Sequence, residues 1–189
     1  LNIIFNLATA GEYRLIQDLA KSLANYFRFV FRSSSYFVTL ADEIRHTENY
    51  LHIQQLRFPD VFTYHVDLEA DLAECLVPPL TIQSLVENSI KHAFEAGVPL
   101  EIAVSIKRSR ENSSLVEITV ADTGSGFPNE VLHALKADED LGTPDGKRIG
   151  IWNLRRRLAL LYEDEPTKMS FSNEPGAVVR LQIPAKFEA

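Results

Sequence analysis

A few residues in three separated stretches have types and spacings that could do chemistry. In Leu80 to Glu95, LTIQSLVENSIKHAFE, a helical period puts Ile82, Leu85, Val86, Ser89 and Ala93 on one side and Ser84, Asn88 and Lys91 on the other. An amide oxygen is a neutral, hard ligand suited to a cation such as Mg²⁺, and an ammonium on the same face offers hydrogen bonds to phosphate. His92 sits toward the edge of that face and suits either a ligand contact or a helix-end role. Asp122 ends an alternating run and opens ADTGSGF. An ionised carboxylate only accepts hydrogen bonds, and Gly124 and Gly126 permit close backbone approach. Gly150 and Asn153 open IGIWNLRRRL, where the N–H groups of a helix start favour phosphate. Taken singly, each stretch has a plainer reading as a solvated helix face, an ordinary turn or a surface helix.

Positioning those residues calls for a sheet with helices laid on it, and the rest of the chain reads that way. VFTYHVDL, LEIAVSIKR and SLVEITVAD alternate apolar and polar residues as half-buried strands do. KMSFSNEP and GAVVRLQIP close the chain as a hairpin turning near Pro175 and Gly176. Pro78 and Pro79 precede the helix of Asn88, and Gly97 with Pro99 follows it, as start and stop signals. After Asp122 a glycine-rich, acidic connection runs toward Arg148, with a short helix expected near Glu130 to Leu135. Connections that long serve as lids or binding loops. Upstream, Leu15, Leu19, Leu23, Tyr26 and Val30 recur every three or four residues, with Gly11 as a break. A second helix starts at Thr39, capped ahead of Asp42 and Glu43. The order predicts an α+β fold: a two-layer α/β sandwich over residues 59–189, preceded by an α-helical hairpin over residues 1–58. With no sheet of its own to cover, the hairpin is expected to pack on a second copy of itself or on the domain that follows.

Composition narrows the functions. A net charge of −7 argues against a broad nucleic-acid or anionic-membrane surface, since either needs a basic excess. The single cysteine, Cys75, excludes an internal disulfide and a multi-cysteine metal site, fits a reducing compartment, and reads as a small packing residue. No apolar run reaches the roughly 18 residues of a membrane span, and Leu1 to Ala10 lacks the basic start of a signal peptide. Without an initiator methionine, the chain reads as a soluble piece of something longer. His52, His65 and His133 read as structural or solvated, and Arg155 to Arg157 as a solvated or partner-facing run.

In chain order, LVENSIKH, ADTGSGF, RIGIWNLRRRL and PGAVVRLQIP resemble the asparagine box and glycine boxes of the ATPase domain shared by histidine kinases, DNA gyrase, the Hsp90 chaperones and MutL. NYFRFVFRSS, VTLADEIRHTENYLHIQQLRFPD and VPPLTIQSLVENSIKHAF extend the resemblance, over nearly all of the chain, to LytS- and YesM-like sensor histidine kinases. The resemblance implies ATP and Mg²⁺ as cofactors, with Asn88 as the metal ligand, Lys91 at a phosphate and His92 a nucleotide contact. It implies that Asp122 reads the exocyclic amine of adenine, favouring ATP over GTP, and that Gly124, Gly126, Gly150 and Asn153 lie against the nucleotide. It further implies transfer of the γ-phosphoryl group of MgATP to a histidine and then to a response regulator. Homodimerisation through the N-terminal helices, and a cytoplasmic position within a membrane-anchored sensor, follow from the same likeness. In the resembling kinases the accepting histidine lies in a PHFLFN-like motif just ahead of the sequence matching LNIIFNLA, so this chain is expected to start after it. His46, in IRHTEN, is a poor substitute.

Two positions depart from the pattern. Arg148 stands where the second glycine box usually has its first glycine, with Gly146 nearby, and Ala177 stands where a threonine often follows the last box's glycine. Both are expected to weaken ATP binding. Two other functions stay open. Hydrolases of the gyrase and Hsp90 type carry a water-activating glutamate four residues before the asparagine, and Ser84 stands there. A degenerate module that dimerises through its first helices and binds nucleotide weakly or not at all is compatible with Arg148 and Ala177. Glu87, about 100° round the helix from Asn88, suits a supporting role.

Overall fold

The computed structural model describes residues 2–32, 35–95, 97–138, 149–163, 165 and 167–188. Arg148 and Gly146, and with them the second-glycine-box departure, lie outside the described residues. The chain begins with helices α1 (Asn2–Thr9) and α2 (Tyr13–Arg32), separated at Gly11, whose φ of 77° supplies the predicted break. A two-residue strand β1 (Val38–Thr39) leads into α3 (Leu40–Arg57). The Thr39 hydroxyl accepts the Asp42 N–H at 3.2 Å, which is the expected helix cap.

Strand β2 (Phe62–Leu68) follows, then a short 3₁₀ turn, the two-residue β3 (Leu76–Val77), and α4 (Thr81–Ala93). Strands β4 (Leu100–Arg108) and β5 (Leu115–Asp122) come next, then α5 (Asn129–Ala137), α6 (Ile149–Tyr162), β6 (Lys168–Asn173) and β7 (Ala177–Pro184). The main sheet has the order β2-β4-β5-β7-β6. β2 and β4 are parallel, joined by the α4 crossover, and the other pairings are antiparallel. Alternation decides which sheet face is covered. Ile102, Val104 and Ile106 pair with Asp122, Val120 and Ile118, and all except Asp122 belong to the apolar core beneath the helices. The other face carries Lys107, Asp67, Glu117 and Gln182, with Lys107 and Asp67 paired at 2.9 Å. This is the predicted α+β sandwich. α5 runs beyond the expected Glu130–Leu135 at both ends, and β1 and β3 are too short to leave a periodic signal.

The hairpin packs on the domain, one of the two arrangements expected. Leu40, Ile44 and Leu51 of α3 join the same hydrophobic cluster as Phe62, Leu85 and Ile102. α2 lies outside, on α3, where Tyr26 and Phe29 sandwich the His46 ring at centroid distances of 4.7 and 4.1 Å. His46 is 1% exposed. Burial lowers its pKa below the usual imidazole value, opposed in part by the neighbouring Gln83 amide. A ring enclosed this way is closed to an incoming phosphoryl group. Cys75 is buried as a packing residue.

The arginine run needs a correction. Only Arg156 is exposed. Arg155 pairs with Asp138, donates to the Leu135 carbonyl at 2.8 Å, and lies over the Trp152 and Phe171 rings. Arg157 turns inward to Thr81. Their long apolar stems flank the buried Leu154 and Leu158, which leaves the Arg155 side chain 17% exposed and Arg157 half-buried.

Candidate functional site

The site lies where the C-terminal half of α4 meets the end of β5. α4 buries Ile82, Leu85, Val86, Ser89 and Ile90 against the sheet, which leaves Asn88 half-buried at the helix edge. The chain after β5 passes very close to that helix. A Cβ built on Gly124 would stand 2.4 Å from the Ala93 Cβ, so only glycine lets the two segments touch. Between them opens a cavity of about 320 Å³. Asn88 and His92 come to it from α4, Asp122 and Gly126 from the loop, and Phe127, Ile151 and Trp152 give it apolar walls.

Asp122 is the buried charge of the site. Alternation along LVEITVAD places it on the same face as Val116, Ile118 and Val120, and it is 2% exposed. Its Oδ1 accepts the Gly124 and Ala177 N–H groups, both at 3.0 Å. Its Oδ2 is buried with no hydrogen-bond partner among the described residues. Leaving a buried carboxylate oxygen unpaired is costly, so this oxygen is an acceptor in want of a donor, on a residue that lines the cavity.

Two further contacts hold the loop around it. Gly176 lies against Asp122, since a Cβ there would meet the Asp122 carbonyl oxygen at 2.3 Å and Oδ1 at 2.5 Å. The Asn173 amide grips the backbone of Phe127, accepting its N–H at 2.8 Å and donating to its carbonyl at 2.9 Å. Gly126, at φ 76°, is where the loop bends to meet Asn173.

Of the sequence-predicted residues, the structure gathers Asn88, His92, Asp122 and Gly126 around the one cavity. Gly124 packs behind it, against Ala93. Lys91 and Asn153 are exposed and stand outside the lining, as does Gly150, on the first turn of α6, where a built Cβ meets no other element among the described residues within 4 Å. Glu87 accepts a hydrogen bond from Gln83, one turn back, and so supports α4 without entering the cavity. Sequence reasoning missed Trp152, Ile151, Asn173 and the role of Gly176. Trp152 had a visible signal as the single tryptophan, next to a glycine box.

The lining fits a nucleotide base. The volume is at the lower end of the small-molecule range, the walls are apolar and aromatic, and a buried acceptor without a donor matches an exocyclic amine. For Mg²⁺ the described residues offer no group of three or more His, Cys, Asp or Glu side chains. A single amide oxygen at Asn88 suits an ion that takes most of its ligands from phosphate and water.

Comparison with known proteins agrees with this geometry. Residues 80–186 match the family described as histidine kinase-, DNA gyrase B- and HSP90-like ATPase, and residues 1–62 match the histidine kinase family. The sensor histidine kinase YesM of Bacillus subtilis is 30% identical over 96% of this chain and 30% of its own length. The sensor protein LytS of Staphylococcus haemolyticus is 33% identical over 89% of this chain and 29% of its own. The chain thus spans about a third of the length of these relatives. Among solved structures, the histidine kinase domain of the Erythrobacter litoralis blue-light activated histidine kinase superposes with a TM-score of 0.56 at 14% identity. That likeness covers 94% of this chain and 83% of the other. The catalytic domain of the histidine kinase ThkA gives a TM-score of 0.57 at 18% identity, covering 80% of this chain and 99% of that one. These likenesses show a common fold. The chain belongs to the histidine kinase-, DNA gyrase B- and HSP90-like ATPase family, with LytS- and YesM-like sensor histidine kinases as its relatives.

Proposed function

We propose that this chain is the catalytic and ATP-binding portion of a two-component sensor histidine kinase. The observation that carries the reading is the buried Oδ2 of Asp122, without a hydrogen-bond partner among the described residues, on a residue that lines an aromatic-walled cavity. An acceptor there selects an exocyclic amine and repels a carbonyl, hence adenine over guanine. Asn88 would hold Mg²⁺, with His92 beside the nucleotide and Lys91 at the outer end of the same helix face as the phosphate cation. Gly126 gives the base its close approach, Gly124 keeps the loop on α4, and Gly150 with Asn153 present the start of α6 to the phosphates. Phosphoryl transfer of this kind is mainly positioning and charge neutralisation.

In the longer protein the acceptor would be a histidine ahead of Leu1, with a response regulator as the next recipient. The hairpin of residues 1–58 would form a homodimer, and the domain of residues 59–189 would sit in the cytoplasm below a membrane anchor. No helix among the described residues is long and apolar enough to cross a membrane. A hydrolase of the gyrase and Hsp90 type draws no support from α4, because Ser84 is not a base and its hydroxyl donates to the Leu80 carbonyl. Calorimetric titration with MgATP and MgGTP tests the base reading, and equal affinities would sink it. Mixing the chain and MgATP with a longer chain carrying the histidine motif should yield phosphohistidine on the longer chain. Asn88→Ala should abolish that transfer, and steady phosphate release without transfer would favour hydrolysis instead.

A further inference from the structure

Glu43 lies on α3, outside the cavity, and is 0% exposed. Its carboxylate reaches across to the start of α4. Oε2 accepts the Leu80 N–H at 2.8 Å, and Oε1 accepts the Ile82 N–H at 2.9 Å and the Gln83 N–H at 3.3 Å. The residue at the N-cap of α4, Leu80, has φ 62° and provides no side-chain cap. A carboxylate from another helix therefore satisfies the N–H groups that every helix start leaves open. Arg157 of α6 donates to the Thr81 hydroxyl at 3.2 Å, in that same first turn of α4. Glu43 thus joins α3 to the first turn of α4, and Arg157 joins that turn to α6. A second link runs from α2, where the Tyr26 hydroxyl accepts from Gln83 at 2.9 Å.

The two elements that meet at this turn, α4 and α6, go on to build the cavity. At 1.5 Å per residue, Asn88 lies about 9 Å along α4 from Ile82. α6 carries Ile151 and Trp152 into the wall. The N–H groups of Leu80, Ile82 and Gln83 cannot slide off Glu43 without being left unpaired. Helix α3 therefore cannot shift against α4 and α6 by small degrees. It carries them along, or the lock opens.

We propose that Glu43 is a positioning residue for the cavity, passing displacement of the helical hairpin to Asn88 through the first turn of α4 and to Trp152 through Arg157. The coupling stands on the contacts alone, and only the ligand it regulates rests on the nucleotide reading. Trp152 is the chain's single tryptophan, so its emission reports on the cavity directly.

The test compares the parent chain, Glu43→Gln, Arg157→Met and the double variant, all well below their melting temperatures. Trp152 emission with acrylamide quenching gives one readout and MgATP calorimetry the other. Each single variant should change Trp152 quenching and weaken MgATP binding about tenfold, within the range that coupling through packed networks supplies. The double variant should be no weaker than either single one, because both open the same lock. A lowered melting temperature with Trp152 quenching and MgATP affinity unchanged would overturn the proposal, as would full additivity of the two substitutions. If Glu43→Gln does not fold, Arg157→Met against the parent carries the same comparison. A change in Trp152 quenching with no MgATP binding even in the parent would uphold the coupling and sink the nucleotide reading.

Discussion

Asp122→Asn separates the two jobs of the Asp122 carboxylate. Oδ1 holds Gly124 and Ala177 through N–H bonds of 3.0 Å, while Oδ2 has no partner among the described residues. The amide that replaces the carboxylate satisfies both N–H groups only with its oxygen on the Oδ1 side, which turns its NH₂ toward the cavity. Two charge-assisted bonds become neutral ones, a loss of about 1 kcal/mol each, offset by no longer burying a charge. The fold should therefore survive with a stability change of about 2 kcal/mol at most. The cavity changes more, because a donor now faces the exocyclic amine of adenine. Losing a charge-assisted bond of about 1.5–3 kcal/mol weakens MgATP by roughly ten- to a hundredfold. Guanine presents a carbonyl at that position, so MgGTP affinity should hold or rise. Calorimetry with both nucleotides, beside a urea melt, measures the ratio and the stability together. If the variant keeps the parent's ATP-to-GTP ratio within threefold, Oδ2 is not the base reader and the cavity argument fails.

Other substitutions test the frame. Gly176→Ala should cost about 1–3 kcal/mol from overpacking, because the new Cβ meets backbone atoms of Asp122 and Gly124 at 2.3–2.7 Å; an unchanged urea midpoint would contradict the close approach. Gly150→Ala should instead stabilise by about 0.5–1 kcal/mol, since it sits in a helix with no other element among the described residues within 4 Å of the new Cβ, while weakening MgATP if phosphates lie against α6. Asn173→Ala removes both bonds to the Phe127 backbone and should lower stability by about 1–3 kcal/mol, with faster hydrogen exchange at Phe127 as the local signature. Burial pushes the Glu43 carboxyl from 4.5 up to about 7 despite its backbone N–H partners and Arg157. The native state then holds the proton more tightly than the unfolded one, so this group's stabilisation is present below pH 4.5 and is lost as pH rises through 7, about 3 kcal/mol in all. His46, with its pKa lowered, works in the opposite sense and loses stability as pH falls below 6.5. The informative quantity is therefore the difference between parent and Glu43→Gln in urea melts from pH 5 to 8, which should narrow as pH rises; a constant difference would refute the assignment.

Much of the fold was legible because its signals are local. The limits of LEIAVSIKR coincide with β4, and the cap at Thr39 and the break at Gly11 each rest on one residue's chemistry. Sheet order and the parallel pairing of β2 with β4 were not legible, since pairing is set by which strands meet across the helix layer. The inward turn of Arg155 and Arg157 was lost for a similar reason. A run of three arginines looks solvated until Asp138, the Leu135 carbonyl and the Thr81 hydroxyl are brought to it from other elements.

The site divides along the same line. Asp122 could be found from its type alone, because the alternation of LVEITVAD puts a carboxylate at a position the pattern reserves for an apolar residue. Asn173 and Gly176 act on backbone groups, which every residue possesses and no sequence pattern marks. Glu43 is the instructive case, because its signal was present and misassigned. Leu40, Glu43, Ile44, Thr47 and Leu51 form one buried stripe on α3, so a carboxylate stood among buried positions there just as at Asp122. A first-turn acidic residue has a ready local explanation in the capped start of its own helix, and that explanation concealed the stripe. The dipole that Glu43 answers is not that of its own helix. It belongs to α4, whose start carries no side-chain cap of its own. A charge on a buried stripe thus calls for a partner from another element even when its own helix offers a reason for it.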